Sequence, residues 1–325
     1  MQTPVFLDHL PDISTVTGRK PELYRLARNR ALADVQLDDS IAWHDRSSCA
    51  ACGEDIAKSR IFSRNFLPFH RCQGCNSIYS AKVPAQQVLD RLRQELPAVL
   101  PQDSGQDRDF EFISLLNWIS LTEARSESRL ETVLDYRFCS QAPGFENAAS
   151  RLSHKRSWHF LPLETGAGDG YGQLRQVLRE HAPKAVLVQA EMDRVADPAQ
   201  LLRTIRDNAA KGTIVFVGTS CADGLEYEIL GADSPSFIPL DRLNLFSVKG
   251  FETLARDTGF TILEASTPGR RDAVLLEQHF NSAQNDHIPF WSSFFREAGK
   301  DRLRDLQILL QRSLKSGVMR FALQT

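Results

Sequence analysis

Two Cys-x2-Cys pairs stand near the front of this 325-residue chain: Cys49 with Cys52, then, after 19 intervening residues, Cys72 with Cys75. Pairs at this separation can close a tetrahedral site of four thiolates around one ion. Gly53 and Gly74 supply the backbone freedom that such knuckles need. Four protein ligands leave no open position, so a zinc ion held there would be structural rather than hydrolytic. His70 is a possible substitute ligand, and a redox pair or two unrelated buried pairs are the plainer alternatives. Cys139 and Cys221 stand alone.

The segment MQTPVFLDHLPDIS carries Asp8 and Pro11 and no basic stretch followed by an apolar one, which argues against a secretory signal. No apolar run approaches the roughly 18 residues that span a bilayer. The expectation is a cytoplasmic protein without membrane partners. Thiols stay reduced there, which favours metal over disulfides for clustered cysteines. With 39 basic and 41 acidic residues, bulk charge does not point to nucleic acid. Arg46, Lys58, Arg60, Arg64 and Arg71, with Phe62, Phe66 and Phe69 between them, form a pattern that can grip single strands. Knuckle core plus solvated charge is the plainer reading of them.

Four regions are expected: an N-terminal extension (1–45), a zinc-knuckle subdomain with a helix (46–100), an α/β domain (105–280), and a C-terminal helical segment with a final strand (281–325). Residues 21–35 and 85–96 read as helices, and PQDSGQDRD (101–109) as a linker. From about residue 130, apolar strand runs alternate with helices. The strand candidates are 131–138, 157–164, 184–190, 213–219, 260–266 and 272–278; the helix candidates are 173–182, 197–210 and 250–259. Asp197 and Pro198 mark the start of one helix, and Gly259 the end of another. Such alternation predicts an α/β fold, a mostly parallel sheet with helices on both faces.

Two stretches can host a cofactor. LDYRFCSQAPGF (134–145) runs from a strand ending near Asp135 into a turn that carries Arg137, Cys139 and Gln141, with Gly144 only later. LETGAGDGYGQL (163–174) follows a strand and opens a helix, with Glu164 ahead of Gly166, Gly168, Gly170 and Gly172. Glycines there let backbone N–H groups approach an anion or a nucleoside. A plain connection and a flexible loop are the bland readings of the two.

The chain resembles the zinc-knuckle-bearing class I S-adenosylmethionine (SAM) methyltransferases, which include sugar C-methyltransferases of bacterial surface-polysaccharide gene clusters. The likeness rests on HRCQGCNSIYS (70–80), on VLDYRF (133–138), on residues 184–219 and above all on residues 223–274, with their Pro, Asp, Leu-Asn, Phe, Gly-Phe and Thr-Pro-Gly series. It implies a Rossmann-like methyltransferase fold, with family strands one, two, four and five near residues 133, 160, 185 and 214. It also implies SAM as cofactor. The family's glycine loop after Asp135 is missing. Leu161 stands where the family has a ribose-binding acid, and the stretch up to residue 184 is short. Asp193-Arg194 and Asp241-Arg242 replace pairs that in the family often contain histidine, putting guanidinium groups where an imidazole could act as base. The SAM motif is therefore degenerate, and Asp193, Asp241 and Tyr227 are the remaining candidate bases. Two functions follow: a methyltransferase acting on a nucleotide sugar, glycan or small metabolite, or an inactive pseudo-methyltransferase that serves as a binding or scaffold module for a protein partner.

Overall fold

The computed structural model describes residues 21–99, 105–126, 128–137, 158–164, 170–234, 237–282 and 288–325. In the front part, helix α1 (Pro21–Leu37) precedes five short strands, β1 (Trp43–Asp45), β2 (Ser59–Arg64), β3 (Leu67–Cys72), β4 (Ile78–Ser80) and β5 (Lys82–Pro84). Helices α2 (Gln86–Val99) and α3 (Gly105–Ser126) follow. The stretch expected to be a linker thus already contributes to α3, a helix whose apolar Leu115, Leu116, Trp118 and Ile119 are all buried.

The α/β part then runs β6 (Thr132–Arg137), β7 (His159–Glu164), α4 (Gly172–His181), β8 (Ala185–Gln189), α5 (Pro198–Asn208), β9 (Ile214–Ser220), α6 (Leu225–Leu230), β10 (Asn244–Leu245), α7 (Val248–Asp257) and β11 (Thr261–Ser266). It closes with α8 (Asp272–Ser282), α9 (Pro289–Glu297), α10 (Lys300–Arg312) and β12 (Val318–Gln324). The main sheet has the order β11-β12-β9-β8-β6-β7. Strands β7, β6, β8 and β9 are parallel, and β12 lies antiparallel between β9 and β11. No described helix is long and apolar enough to cross a membrane.

Strands buried on both faces need continuous apolar runs, and the two faces can be read off β8. Ala185 and Leu187 join Val133, Phe160, Ile214 and Phe216 in a core under α3. Val186 and Val188 face the other way, into a core with Leu174 and Leu178 of α4, Leu201, Leu202 and Ile205 of α5, and Phe251 and Leu254 of α7. Asp197 caps α5 by accepting from Gln200 N at 2.9 Å. On the α3 face Trp118 Nε1 and Arg125 Nη1 donate to the buried Glu264 at 2.8 and 2.7 Å.

One expected strand is a helix. DAVLLEQ (272–278) forms the start of α8, with Ala273, Leu276 and Phe280 buried against Phe295, Leu303 and Leu306. A short apolar run does not by itself distinguish strand from helix. Here the buried positions recur at i, i+3 and i+7, and Asp272 in the first turn accepts from Ser316 Oγ at 2.5 Å and Gly317 N at 2.6 Å. The strand beside β11 comes instead from the tail, as β12.

The connection after β9 packs backbone on backbone. A Cβ at Gly224 would stand 2.6 Å from Gly317 Cα and 2.8 Å from Gly317 N. Gly224→Ala is therefore expected to cost about 1–3 kcal/mol, read as a lower urea midpoint at unchanged slope.

Candidate metal centre and switch-point crevice

The four cysteines come together on two tight turns. Gly53 N donates to the Cys49 carbonyl and Asn76 N to the Cys72 carbonyl, both at 2.9 Å. The residue after the second cysteine of each pair is left-handed: Gly53 at φ 72° and Asn76 at φ 68°. Asparagine tolerates that conformation better than most residues. Gly74 serves a different end. Its N–H donates to Glu54 Oε2 at 2.7 Å, and a Cβ there would fall 2.3 Å from the same oxygen.

The four sulfurs all lie within 4.8 Å of one another, with Cys49–Cys75 at 3.7 Å and Cys52–Cys72 at 3.6 Å. The hydrogen bond between the two sulfurs pulls the Cys75 thiol down to about 5, while the same contact pushes Cys49 up. Burial pushes Cys72 up to about 12. Without an ion the cluster thus keeps protons on some of its sulfurs, and a divalent cation is the simplest group that would let all four be thiolates side by side. The donor set fits a tetrahedral zinc ion held by Cys49, Cys52, Cys72 and Cys75. His70 is not part of the cluster; its Nδ1 pairs with Ser59 Oγ at 2.6 Å and its ring stacks on Tyr79.

The knuckle is built into the body of the protein. Its four-stranded sheet, β10-β4-β3-β2, takes its first strand from residues 244–245. Cys49, Ala51, Cys72 and Cys75 belong to the same core cluster as Phe246 and Phe251. Sequence reasoning missed Ser77, Asn244 and Ser247, which hold this junction together, and Glu54, which braces the second cysteine turn from within the knuckle. Asn244 had a specific signal, the Leu-Asn position of the family resemblance, whereas Ser77 and Ser247 lay in the quoted stretches 70–80 and 223–274 without being singled out.

In open α/β sheets, ligands bind beyond the carboxyl ends of the strands, where the chain reverses its direction of travel across the sheet. That point lies between β6 and β8, since β7 and β8 flank β6 on opposite sides. Asp135 of β6 is buried, and Arg137 folds back onto it, with Nε 3.0 Å from Oδ1 and Nη2 2.6 Å from Oδ2. Leu161 of β7 pairs in register with Leu134 and packs against the core. Glu164 ends β7 in register with Arg137. The Glu164 side chain and Gly166 and Gly168 lie outside the described residues, as do Cys139, Gln141 and Gly144. Gly170 is described, left-handed at φ 63°, and it is followed by a second left-handed residue, Tyr171, just before α4.

Beyond β8 the four residues of the two altered pairs meet. Arg194 grips Asp241 through Nε at 3.0 Å and Nη2 at 3.4 Å. Arg242 Nη1 donates to Asp193 Oδ2, to which Ser220 Oγ also donates at 2.9 Å. Glu191 lies 4.0 Å from Arg194. Burial works against the charge on Arg194, but Asp241, Glu191 and Asp193 outweigh it and push its pKa up. Tyr227 is buried with its hydroxyl lacking a hydrogen-bond partner among the described residues, and burial pushes its pKa well above the ordinary value. Asp193 and Asp241 are thus both engaged in ion pairs, and Tyr227 holds its proton tightly.

No protein-family model matches the sequence, and no curated protein is significantly similar to it. Among solved structures, the chain is similar to the plantazolicin methyltransferase BamL, determined with a desmethyl analogue and S-adenosylhomocysteine. The identity is 10%, 67% of this chain and 85% of that one are covered, and the TM-score is 0.40. It is similar to coclaurine N-methyltransferase at 13% identity, over 66% of this chain and 72% of that one, with a TM-score of 0.37. It is also similar to a cyclopropane synthase from Mycobacterium tuberculosis at 13% identity, over 60% and 78%, with a TM-score of 0.32. These likenesses are loose, and the assignment to the α/β class with a mostly parallel sheet rests on the strand order itself.

Proposed function

We propose that this chain is a pseudo-methyltransferase: a class I methyltransferase-like α/β protein, braced by a structural zinc ion, that works as a binding or scaffold module. The observation that carries this reading is the Arg137 guanidinium seated on Asp135, with its side chain 14% exposed. In the family that the sequence resembles, a glycine-rich turn follows this aspartate. Here the arginine occupies its carboxylate, and Leu161 offers no acceptor for ribose hydroxyls. Asp135, paired with Arg137, and Leu161 therefore do not supply the SAM contacts that the family places at these positions. The crosswise pairs of Asp193, Arg194, Asp241 and Arg242 support the same reading, because they engage in ion pairs the two aspartates that are candidate bases. A reducing compartment such as the cytoplasm suits the four thiols, and a protein is the expected partner.

A second reading is kept open by Gly170 and Tyr171. Two consecutive left-handed residues opening α4, six residues beyond Glu164, suit a turn that wraps a nucleotide. On that reading SAM binds around Glu164–Gly170, and the methyl acceptor is a nucleotide sugar, a glycan or a small metabolite. Calorimetric titration of SAM into the zinc-loaded protein separates the two. No heat at high ligand concentration, with the protein shown to be folded, is the expected result. Micromolar binding would overturn the pseudo-enzyme reading and direct attention to acceptors.

A further inference from the structure

One short segment, residues 241–247, lies between the metal centre and the crevice and is held from both sides. On the metal side, Ser77 Oγ accepts from Ser247 N at 3.0 Å and lies 3.2 Å from the Ser247 hydroxyl. That hydroxyl donates to the Cys75 carbonyl and accepts from Gly250 N at 2.8 Å, capping α7. Lys249 Nζ reaches the Gly74 carbonyl at 2.7 Å. Strand β10 pairs with β4, and Ser80 N donates to the Leu243 carbonyl at 2.8 Å. A Cβ on Gly250 would stand 2.2 Å from Ser77 Oγ and 3.1 Å from Ala51 Cβ, so α7 sits on the knuckle without slack.

On the crevice side, the N–H groups of Leu243 and Asn244 both donate to the Asp193 carbonyl, at 2.7 and 3.0 Å. The buried Asn244 side chain donates to the Val195 carbonyl at 2.9 Å and the Met192 carbonyl at 3.3 Å. Its Oδ1 accepts from Arg46 Nη1 at 2.7 Å, and Arg46 Nη2 donates to the Ala196 carbonyl at 2.6 Å. The same segment delivers Asp241 to Arg194 and Arg242 to Asp193.

From this we infer that metal occupancy at Cys49, Cys52, Cys72 and Cys75 is coupled to the arrangement of residues 241–247, and through them to the ion pairs of Asp193, Arg194, Asp241 and Arg242 beyond β8. The inference rests on the reading of the four cysteines as a metal site. Without the ion, the two cysteine turns lose their common anchor. The Cys75 carbonyl and Ser77 are then free to move away from Ser247, and β4 from β10. Asn244 acts as a positioning residue, since it ties the incoming Arg46 to the loop after β8. Such coupling is reciprocal: whatever loosens the ion pairs must also weaken the hold on the metal.

The test uses the full chain loaded with zinc. Transfer of zinc to a chromogenic chelator is timed for the wild type, for Ser247→Ala and for Arg242→Gln, none of which alters a metal ligand. Hydrogen exchange is followed with and without the metal. Coupling predicts release at least fivefold faster in both variants, within the usual range for linked sites. It also predicts that metal removal speeds exchange at the Leu243 and Asn244 amides at least tenfold more than exchange at Val186–Val188 of the sheet core. Wild-type release rates in Arg242→Gln, in a protein that does bind zinc, would overturn the coupling and leave the metal site standing. A chain that binds no zinc would remove the metal reading and the inference with it. Should metal removal unfold the sheet as well, the release rate of Arg242→Gln decides.

Discussion

Cys75→Ser is expected to abolish stoichiometric zinc binding and to lower the stability of the whole protein rather than of the knuckle alone. Serine is nearly isosteric with cysteine, so the loss would come from the metal and not from a cavity. Zinc held by small cysteine-rich folds contributes on the order of 10–16 kcal/mol of apparent binding free energy. That compares with a total stability of roughly 5–15 kcal/mol for an ordinary domain. Cys49, Ala51, Cys72 and Cys75 share one core with Phe246, Phe251 and Leu254. Knuckle and sheet should therefore melt together. Elemental analysis and thermal unfolding, before and after chelation, check this. Retained zinc, or an unchanged unfolding temperature in a metal-free variant, would refute it.

Arg242→Met should destabilise the protein by about 3–5 kcal/mol, the usual cost of leaving a buried carboxylate without its cation. Asp193 is fully buried and the Arg242 side chain 18% exposed, so solvent screens the pair little. Among the described residues, Ser220 would then serve the Asp193 carboxylate through its hydroxyl and its N–H. Adding Asp193→Ala to that variant should recover part of the loss, because the stranded charge disappears. Urea unfolding of both single variants and the double variant gives the interaction energy directly. Additive effects of the two changes would show that the pair contributes nothing.

The pattern of elements was legible where burial imposes a simple rule. Runs such as KAVLVQA and TIVFVGT have unbroken apolar centres because both sheet faces are covered, and Asp197-Pro198 marks a helix start by local chemistry alone. The cysteine spacing brought four sulfurs together because each turn is also local. DAVLLEQ was misread because its length and apolar content suit either element, and only contacts with α9 and α10 make it helical. Gly74 and Asn76 show the limit within one turn: the sequence offers both, and contact with Glu54 decides which of the two needs to be a glycine for space. The partners of Arg46, Ser77 and Asn244 lie up to 198 positions away, beyond the reach of spacing rules. The resemblance across residues 223–274 was informative, but much of it reports packing. Asn244, Phe246, Gly250 and Phe251 all touch the knuckle or the shared core, and Gly269 accepts from Gln307 and Gln311.

Strand β10 completes the knuckle sheet from a point far downstream, pairing Asn244 with Tyr79 and Leu245 with Ile78. During synthesis the cysteine turns leave the ribosome long before that strand exists. At roughly 5–20 residues per second, the gap lasts on the order of ten seconds or more. Over that interval the metal site must form on an unfinished sheet, with the apolar flank that later meets Phe246 and Phe251 still exposed. Contacts of such long sequence separation also slow folding. Nascent chains arrested before residue 244 should accordingly be the species that chaperones hold, and fragments ending there should aggregate even when zinc is plentiful.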